Sequence, residues 1–210
     1  MNLLASIAYF FQAGGHFMFP ILAVAVIGLA IAVERLIYLS KAKAENRRLW
    51  SELIPLVNHG DLATAESAAM ASDSPIGRIF GHGIARSRVS SKREDVEASM
   101  EESLMEVTPL LERRTHYLAT FAYASTLLGL LGTVMGLISG FSAVSNVNPA
   151  EKADLLSAAV AEAMHCTAFG IGVAVPLLIL HAVLSSQTND LIDNIEMAAL
   201  KFLNALGLKG

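Results

Sequence analysis

Three stretches of this chain contain no Asp, Glu, Lys or Arg: residues 1–33, 115–150 and 163–189. Each exceeds the roughly 20 apolar residues that a helix needs to cross a bilayer. Lipid leaves no water to satisfy backbone polar groups, so a spanning segment must bond internally as a helix or close into a barrel. Runs this long and continuous predict helices. The fold class expected is all-α: a polytopic membrane protein with three transmembrane helices and long cytoplasmic helical extensions. Charged residues make up 16% of the chain, well short of the approximately one quarter of soluble domains. That excludes an ordinary soluble enzyme, a disordered chain and a disulfide scaffold. The single cysteine, Cys166, has no intrachain partner. A net charge of −4 gives no reason to expect nucleic acid binding.

Basic residues set the topology. Of 15 Lys and Arg, 11 fall between residues 40 and 115, none precedes the first span, and Lys152 stands alone in the loop 142–157. Positive residues stay in the cytoplasm. The predicted order is an N-terminal periplasmic or interfacial helix at 1–16, a first span at 17–39, a cytoplasmic helical domain at 40–116, a second span at 117–141, a periplasmic loop at 142–157, a third span at 158–184 and a cytoplasmic C-terminal helix at 185–210. The segment before His16 has no basic residue, so a cleavable signal peptide is not expected. The N-terminus is therefore expected outside and the C-terminus inside.

Within the cytoplasmic part, Asn58-His59-Gly60-Asp61 reads as a helix stop followed by a new N-cap. Pro75 suits a first helical turn, and Ser91-Lys92-Arg93-Glu94 fits a capping box. From there one helix of about 50 residues is expected to run through Pro109 into the second span, roughly 75 Å long. After the third span, Ile192, Ile195, Ala199, Phe202 and Leu206 form a stripe suited to bundle packing. Glu34-Arg35 is expected at the inner interface, with side chains reaching water.

Catalytic signatures are missing from the sequence: no phosphate-binding glycine loop, no dinucleotide fingerprint, no H-E-x-x-H. The histidines at 16, 59, 82, 116, 165 and 181 show no metal-ligand spacing. No catalytic residue, metal site or cofactor is expected, and the chain is not read as an enzyme. The informative residues lie inside the spans. Gly132, Gly136 and Gly140 make two G-x-x-x-G steps, and Gly129 and Ser125 extend that small-residue face, which suits close helix packing. In the third span Thr167, Gly170 and Ala174 share a face, and Pro176 removes one helix hydrogen bond. Thr133 and Thr167 each lie nine residues, roughly 13 Å, below the outer end of their span. Two hydroxyls at one depth on antiparallel helices would line a polar belt in a ring. Glu162 sits about one turn inside the outer end of the third span. An ionisable group there reads as part of a pathway or as a residue at the headgroup boundary. A lone subunit would leave Glu162 and the glycine faces against lipid, so a closed ring is expected.

Three elements carry a family resemblance: Val33-Glu34-Arg35-Leu36; Gly129-Leu130-Leu131-Gly132-Thr133-Val134-Met135-Gly136 with Phe141; and Glu162-Ala163, Thr167-Ala168-Phe169-Gly170 and Ala174-Val175-Pro176. In this order and topology the chain resembles the MotA/TolQ/ExbB proton channel family, closest to its ExbB and TolQ branch. The resemblance implies a homopentamer around the single membrane helices of an ExbD- or TolR-like partner, whose membrane aspartate accepts the ion. It also implies a TonB- or TolA-like protein further along the path of force. Thr133 and Thr167 match the family's pore threonines, and Glu162 its third-span acidic residue. The function implied is an ion-channel subunit, for protons, in a motor complex that turns ion motive force into work on the cell envelope. The alternatives are a flagellar- or gliding-type stator subunit and a non-conducting membrane scaffold. Three spans instead of four make the flagellar form the weaker fit. A solute transporter would need a larger polar midplane site and repeated halves, and neither is visible.

Overall fold

A computed structural model describes residues 10, 11, 13–145 and 147–206 of the chain. Most of the expected helix at 1–16, and the last four residues of the C-terminal segment, lie outside them. Among the described residues there is no β-strand. The helices are α1 (Met18–Asn58), α2 (Leu62–Met70), α3 (Pro75–Val89), α4 (Arg93–Glu112), α5 (Thr115–Val144) and α6 (Pro149–Ala205). Three helical segments, in α1, in α5 and in α6, are long and apolar enough to cross a membrane. Fewer than a quarter of the residues in each apolar window are buried: 22%, 17% and 22%. The rest of that surface requires lipid or other protein around it.

Two compact units divide the chain: residues up to Val33 with Arg114–Val183, and Glu34–Arg113 with the chain from Leu184 onward. The first unit holds the apolar helical segments. The second is a helical domain with its own core, in which Phe80 stacks on Phe202 at 4.3 Å between ring centroids and Trp50 tilts against Phe80. Leu53, Ile79, Ile84, Val96, Leu111 and Ile195 are fully buried around them.

The local signals in the second unit hold in most places. Gly60 takes a left-handed φ of 77° just past the end of α1, and the Thr64 amide donates to Asp61 Oδ1 at 3.2 Å to start α2. Ser74 caps α3 by accepting from the Gly77 amide, with Pro75 in its first turn. The capping box at Ser91 does not form. Lys92 is the N-cap residue of α4 and makes no side-chain cap bond, while Ser90 Oγ donates to Asp95 Oδ2 at 2.6 Å and accepts from the Lys92 amide. On α6 the buried stripe runs through Leu191, Ile195, Ala198 and Phe202, so it is turned slightly from the expected one, in which Ile192 and Ala199 stood.

The expected 50-residue helix is broken. It does continue through Pro109, but α4 ends at Glu112, and Arg113 (ψ 134°) and Arg114 (φ 66°) leave helical geometry before α5 begins at Thr115. A left-handed, non-glycine residue is uncommon, and nothing in the Glu112–Thr115 residue types signals it. Pro176, by contrast, lies inside α6 without ending it. The segment 142–157 keeps helical backbone up to Val144 and from Pro149 onward.

The Arg35 side chain does not reach water as expected. Only 2% of it is exposed. Its Nη2 donates to the Leu111 carbonyl, and its guanidinium lies 4.6 Å from the Tyr38 ring centroid. Leu111 belongs to the last turn of α4, whose carbonyls lack helical partners and favour a cation. Arg35 thus ties α1 to the end of α4 instead of reaching for water. Arg35→Ala is expected to destabilise the second unit by about 1.5–3 kcal/mol, the range for a hydrogen bond to a charged group. Thermal unfolding of the purified chain measures it, and an unchanged midpoint would show the contact to be dispensable.

Candidate functional site

In the first unit α5 and α6 run antiparallel with their backbones in contact. A Cβ on Gly170 would stand 2.7 Å from the Ser125 carbonyl oxygen and 3.0 Å from Gly129 Cα; one on Gly129 would meet Gly170 Cα and Thr167 Cα at 3.3 Å. Only glycine permits this approach. Ser125 Oγ, buried, donates to the Gly170 carbonyl at 2.9 Å and ties the two helices at the same level. Further along, Gly132 makes room for Cys166 Sγ, Gly136 for Ala163 and Gly140 for Ala159. The whole small-residue face of α5 is therefore spent on α6 of the same copy. The expectation that this face would lie against lipid in a lone subunit is corrected: antiparallel pairing within one chain already covers it.

That pairing brings Thr133 and Thr167 together. Their hydroxyls are 3.0 Å apart. Thr133 Oγ1 lies 2.7 Å from the Leu130 carbonyl and 3.2 Å from that of Gly129, and Thr167 Oγ1 lies 3.0 Å from the same Gly129 carbonyl. A threonine hydroxyl has one proton and two lone pairs. The pair therefore has two protons to donate, and the acceptors within reach are the Gly129 and Leu130 carbonyls and each other's hydroxyl oxygen. Either Thr167 donates to Gly129 while Thr133 satisfies Leu130, or one hydroxyl donates to the other. In each arrangement hydroxyl lone pairs stay available, without fixed charge. The neighbours of Thr133 on α5 that face outward, Leu130, Leu131, Val134 and Met135, are large, apolar and exposed. Both threonines are half-buried, so the pair is a polar point set in an apolar helical wall.

Glu162 is not brought into this pair. It is exposed, and on α6 it stands five residues before Thr167, about 7.5 Å along the axis and roughly 140° around it. Its carboxylate abuts Gly15, whose φ of 71° and missing Cβ leave the space it occupies. Gly15 has no signal in the sequence that marks it as a neighbour of Glu162. Cys166 is 1% exposed and packs against Gly132. His165 meets the edge of Phe10 at 5.2 Å between ring centroids.

A sequence profile of the MotA/TolQ/ExbB proton channel family matches residues 71–197, which hold both threonines, Glu162 and the paired glycines. The chain belongs to the MotA/TolQ/ExbB proton channel family. Its relatives place it with the ExbB and TolQ branch of that family. The putative biopolymer transport protein ExbB-like 3 of Synechocystis is 27% identical over 169 residues, 80% of this chain and 80% of the relative. The putative biopolymer transport protein ExbB homolog of Methanothermobacter thermautotrophicus is 26% identical over 203 residues, 94% of this chain and 69% of that protein. The Tol-Pal system protein TolQ of Haemophilus influenzae is 37% identical over a shorter stretch of 79 residues, 38% of this chain and 34% of TolQ. For an ExbB/TolQ-type chain the central α5–α6 contact is thus part of the region shared with the family, and so are the residues that sequence reasoning singled out.

Proposed function

We propose that this protein is an ion-conducting subunit, for protons, of an inner-membrane motor of the ExbB/TolQ type. It acts as a closed ring, expected to be a pentamer, around an ExbD- or TolR-like single-span partner carrying a membrane aspartate. A TonB- or TolA-like protein takes up the work. The observation that carries the reading is the Thr133–Thr167 hydroxyl pair in a chain of this family. An ion or protonated carboxyl group passing an apolar wall must keep oxygen partners, because an unsatisfied polar group in lipid costs several kcal/mol. The paired hydroxyls both donate and accept, and they hold no charge that would trap the partner's aspartate. Glu162, exposed about one turn inside the outer end, gathers cations at the mouth of the path. The chemistry required is transport, with no bond-making step, so no enzymatic role is proposed.

Cysteine mapping in a Cys166→Ser background tests the orientation. A cysteine at Ser145 is expected to react with an impermeant reagent added outside, and one at Ser90 only with a reagent reaching the cytoplasm. The reverse pattern would overturn the orientation. Pull-down of the full chain with the ExbD- or TolR-like protein of the same cell tests the partner, and failure of any such protein to copurify would contradict it.

A further inference from the structure

The second unit carries two open clefts of opposite charge, on opposite sides of α6. One lies between α1 and α6, with a volume of about 310 Å³. Its floor includes Ile76 and Ile195, and its rim carries Lys43, Arg47 and Lys201. These three cations are exposed, and among the described residues none of them makes an ion pair. Asn46 also lines this cleft. It is 4% exposed, its Oδ1 accepts from the Ile76 amide, and its Nδ2 has no partner among the described residues. The second cleft lies between α4 and α6, again about 310 Å³. Met100 and Leu203, each 2% exposed, are in its floor, and Glu97, Glu101 and Glu196 on its rim. Glu97 holds Arg93 at 3.9 Å; Glu101 and Glu196 make no ion pair among the described residues.

The α6 residues of the two clefts, Asn194, Ala198 and Lys201 against Glu196, Ala199 and Leu203, belong to sets centred roughly 170° apart at 3.6 residues per turn. One face is basic and the other acidic, both have apolar floors, and they point in opposite directions. Two different complementary patches on opposite sides of one body make a heterologous contact, which repeats head to tail and closes into a ring when the rotation permits.

We infer that the acidic α4–α6 face of one copy docks on the basic α1–α6 cleft of the next, so that this charge pairing sets the order and hand of the ring outside the membrane. The inference rests on the ring reading above. The occupant is a second copy of this chain because that chain itself supplies charges of opposite sign at the same helical spacing: Lys43 and Arg47 lie one turn apart on α1, as Glu97 and Glu101 do on α4, where Met105, exposed, follows one turn later. Complementary charge at such a contact mainly governs which faces meet, and like charges brought together oppose it strongly.

The test compares four full-length chains by native mass measurement in detergent over a dilution series. They are the wild type, K43E/R47E/K201E, E97K/E101K/E196K, and the chain with all six reversals. Each single-face reversal is expected to weaken the ring about tenfold or more, through like charge at every contact. The six-fold reversal is expected to restore it to within about threefold, because it exchanges the two faces. If either single-face variant is poorly folded, the six-fold chain decides, since it bears the same substitutions. A ring indifferent to all reversals, or one that the six-fold chain fails to restore, overturns the interface while leaving the ring reading intact. A monomeric wild type overturns both. Loss of copurifying phospholipid or inorganic phosphate from K43E/R47E/K201E, with an unchanged ring, would assign the basic cleft to an anionic ligand and overturn the docking.

Discussion

Thr133→Val and Thr167→Val are each expected to abolish ion flux while leaving the helices paired. Valine keeps the shape and removes the hydroxyl. In the structure each hydroxyl is a partner of the other at 3.0 Å and of the Gly129 carbonyl, so either deletion leaves the pair without its exchangeable bond. The two losses are expected to be non-additive: the double variant should conduct no less than the single ones, as for groups acting as one unit. Thr→Ser keeps the hydroxyl and is expected to retain most of the flux. Glu162→Gln is expected to reduce flux at limiting ion concentration more than Glu162→Asp, because only the latter keeps the charge at the mouth. Flux into liposomes bearing the complex with its partner, beside a pull-down for assembly, measures all of these. Normal flux through the valine variants would make the threonine pair a packing feature and nothing more.

The largest effect on stability is expected at Gly170. A methyl group there meets the Ser125 carbonyl oxygen at 2.7 Å and Gly129 Cα at 3.0 Å, both backbone atoms. Neither can turn aside as a flexible side chain would, so the helices must part. Gly170→Ala is expected to cost about 3 kcal/mol, the upper part of the range for overpacking. Parting the helices also breaks the bond from Ser125 to the Gly170 carbonyl and separates Thr133 from Thr167, so flux should fall along with stability. Gly172 is the control two residues away. A Cβ there meets nothing within 4 Å, so Gly172→Ala is expected to be neutral or slightly stabilising, since alanine favours helix by about 1 kcal/mol over glycine. Thermal unfolding in detergent separates the two. Equal midpoints for Gly170→Ala and Gly172→Ala would refute the close contact.

Much of this was legible in the residues because membrane helices obey few rules. Charge-free runs give the apolar helices directly, and a shared depth for Thr133 and Thr167 follows from rise per residue alone. What depth could not give is the partner of each face. Gly132, Gly136 and Gly140 signal close packing, but the same pattern serves a neighbouring copy or a helix of the same chain. Only tertiary structure shows that Cys166, Ala163 and Ala159 fill it. The burial of Arg35 was missed for a related reason. An arginine at the end of a span has the stem to reach water, and nothing nearby in sequence announces Leu111, 76 residues away. The turn at Arg113–Arg114 escaped because neither residue type favours left-handed geometry. At the start of α4 the N-cap is Lys92, and Ser90, not Ser91, makes the local side-chain bonds, within a run of polar groups where several hydroxyls compete for the same amides.

Proton uptake by liposomes containing the purified chain with its ExbD- or TolR-like partner, under an imposed membrane potential, bears most directly on whether this protein conducts ions. Uptake above that of empty liposomes is expected for the wild-type complex, with a fall to the empty-liposome rate for Thr133→Val at equal complex content. A fully assembled wild-type complex that passes neither protons nor sodium would contradict the ion-channel function and leave the chain as a membrane scaffold.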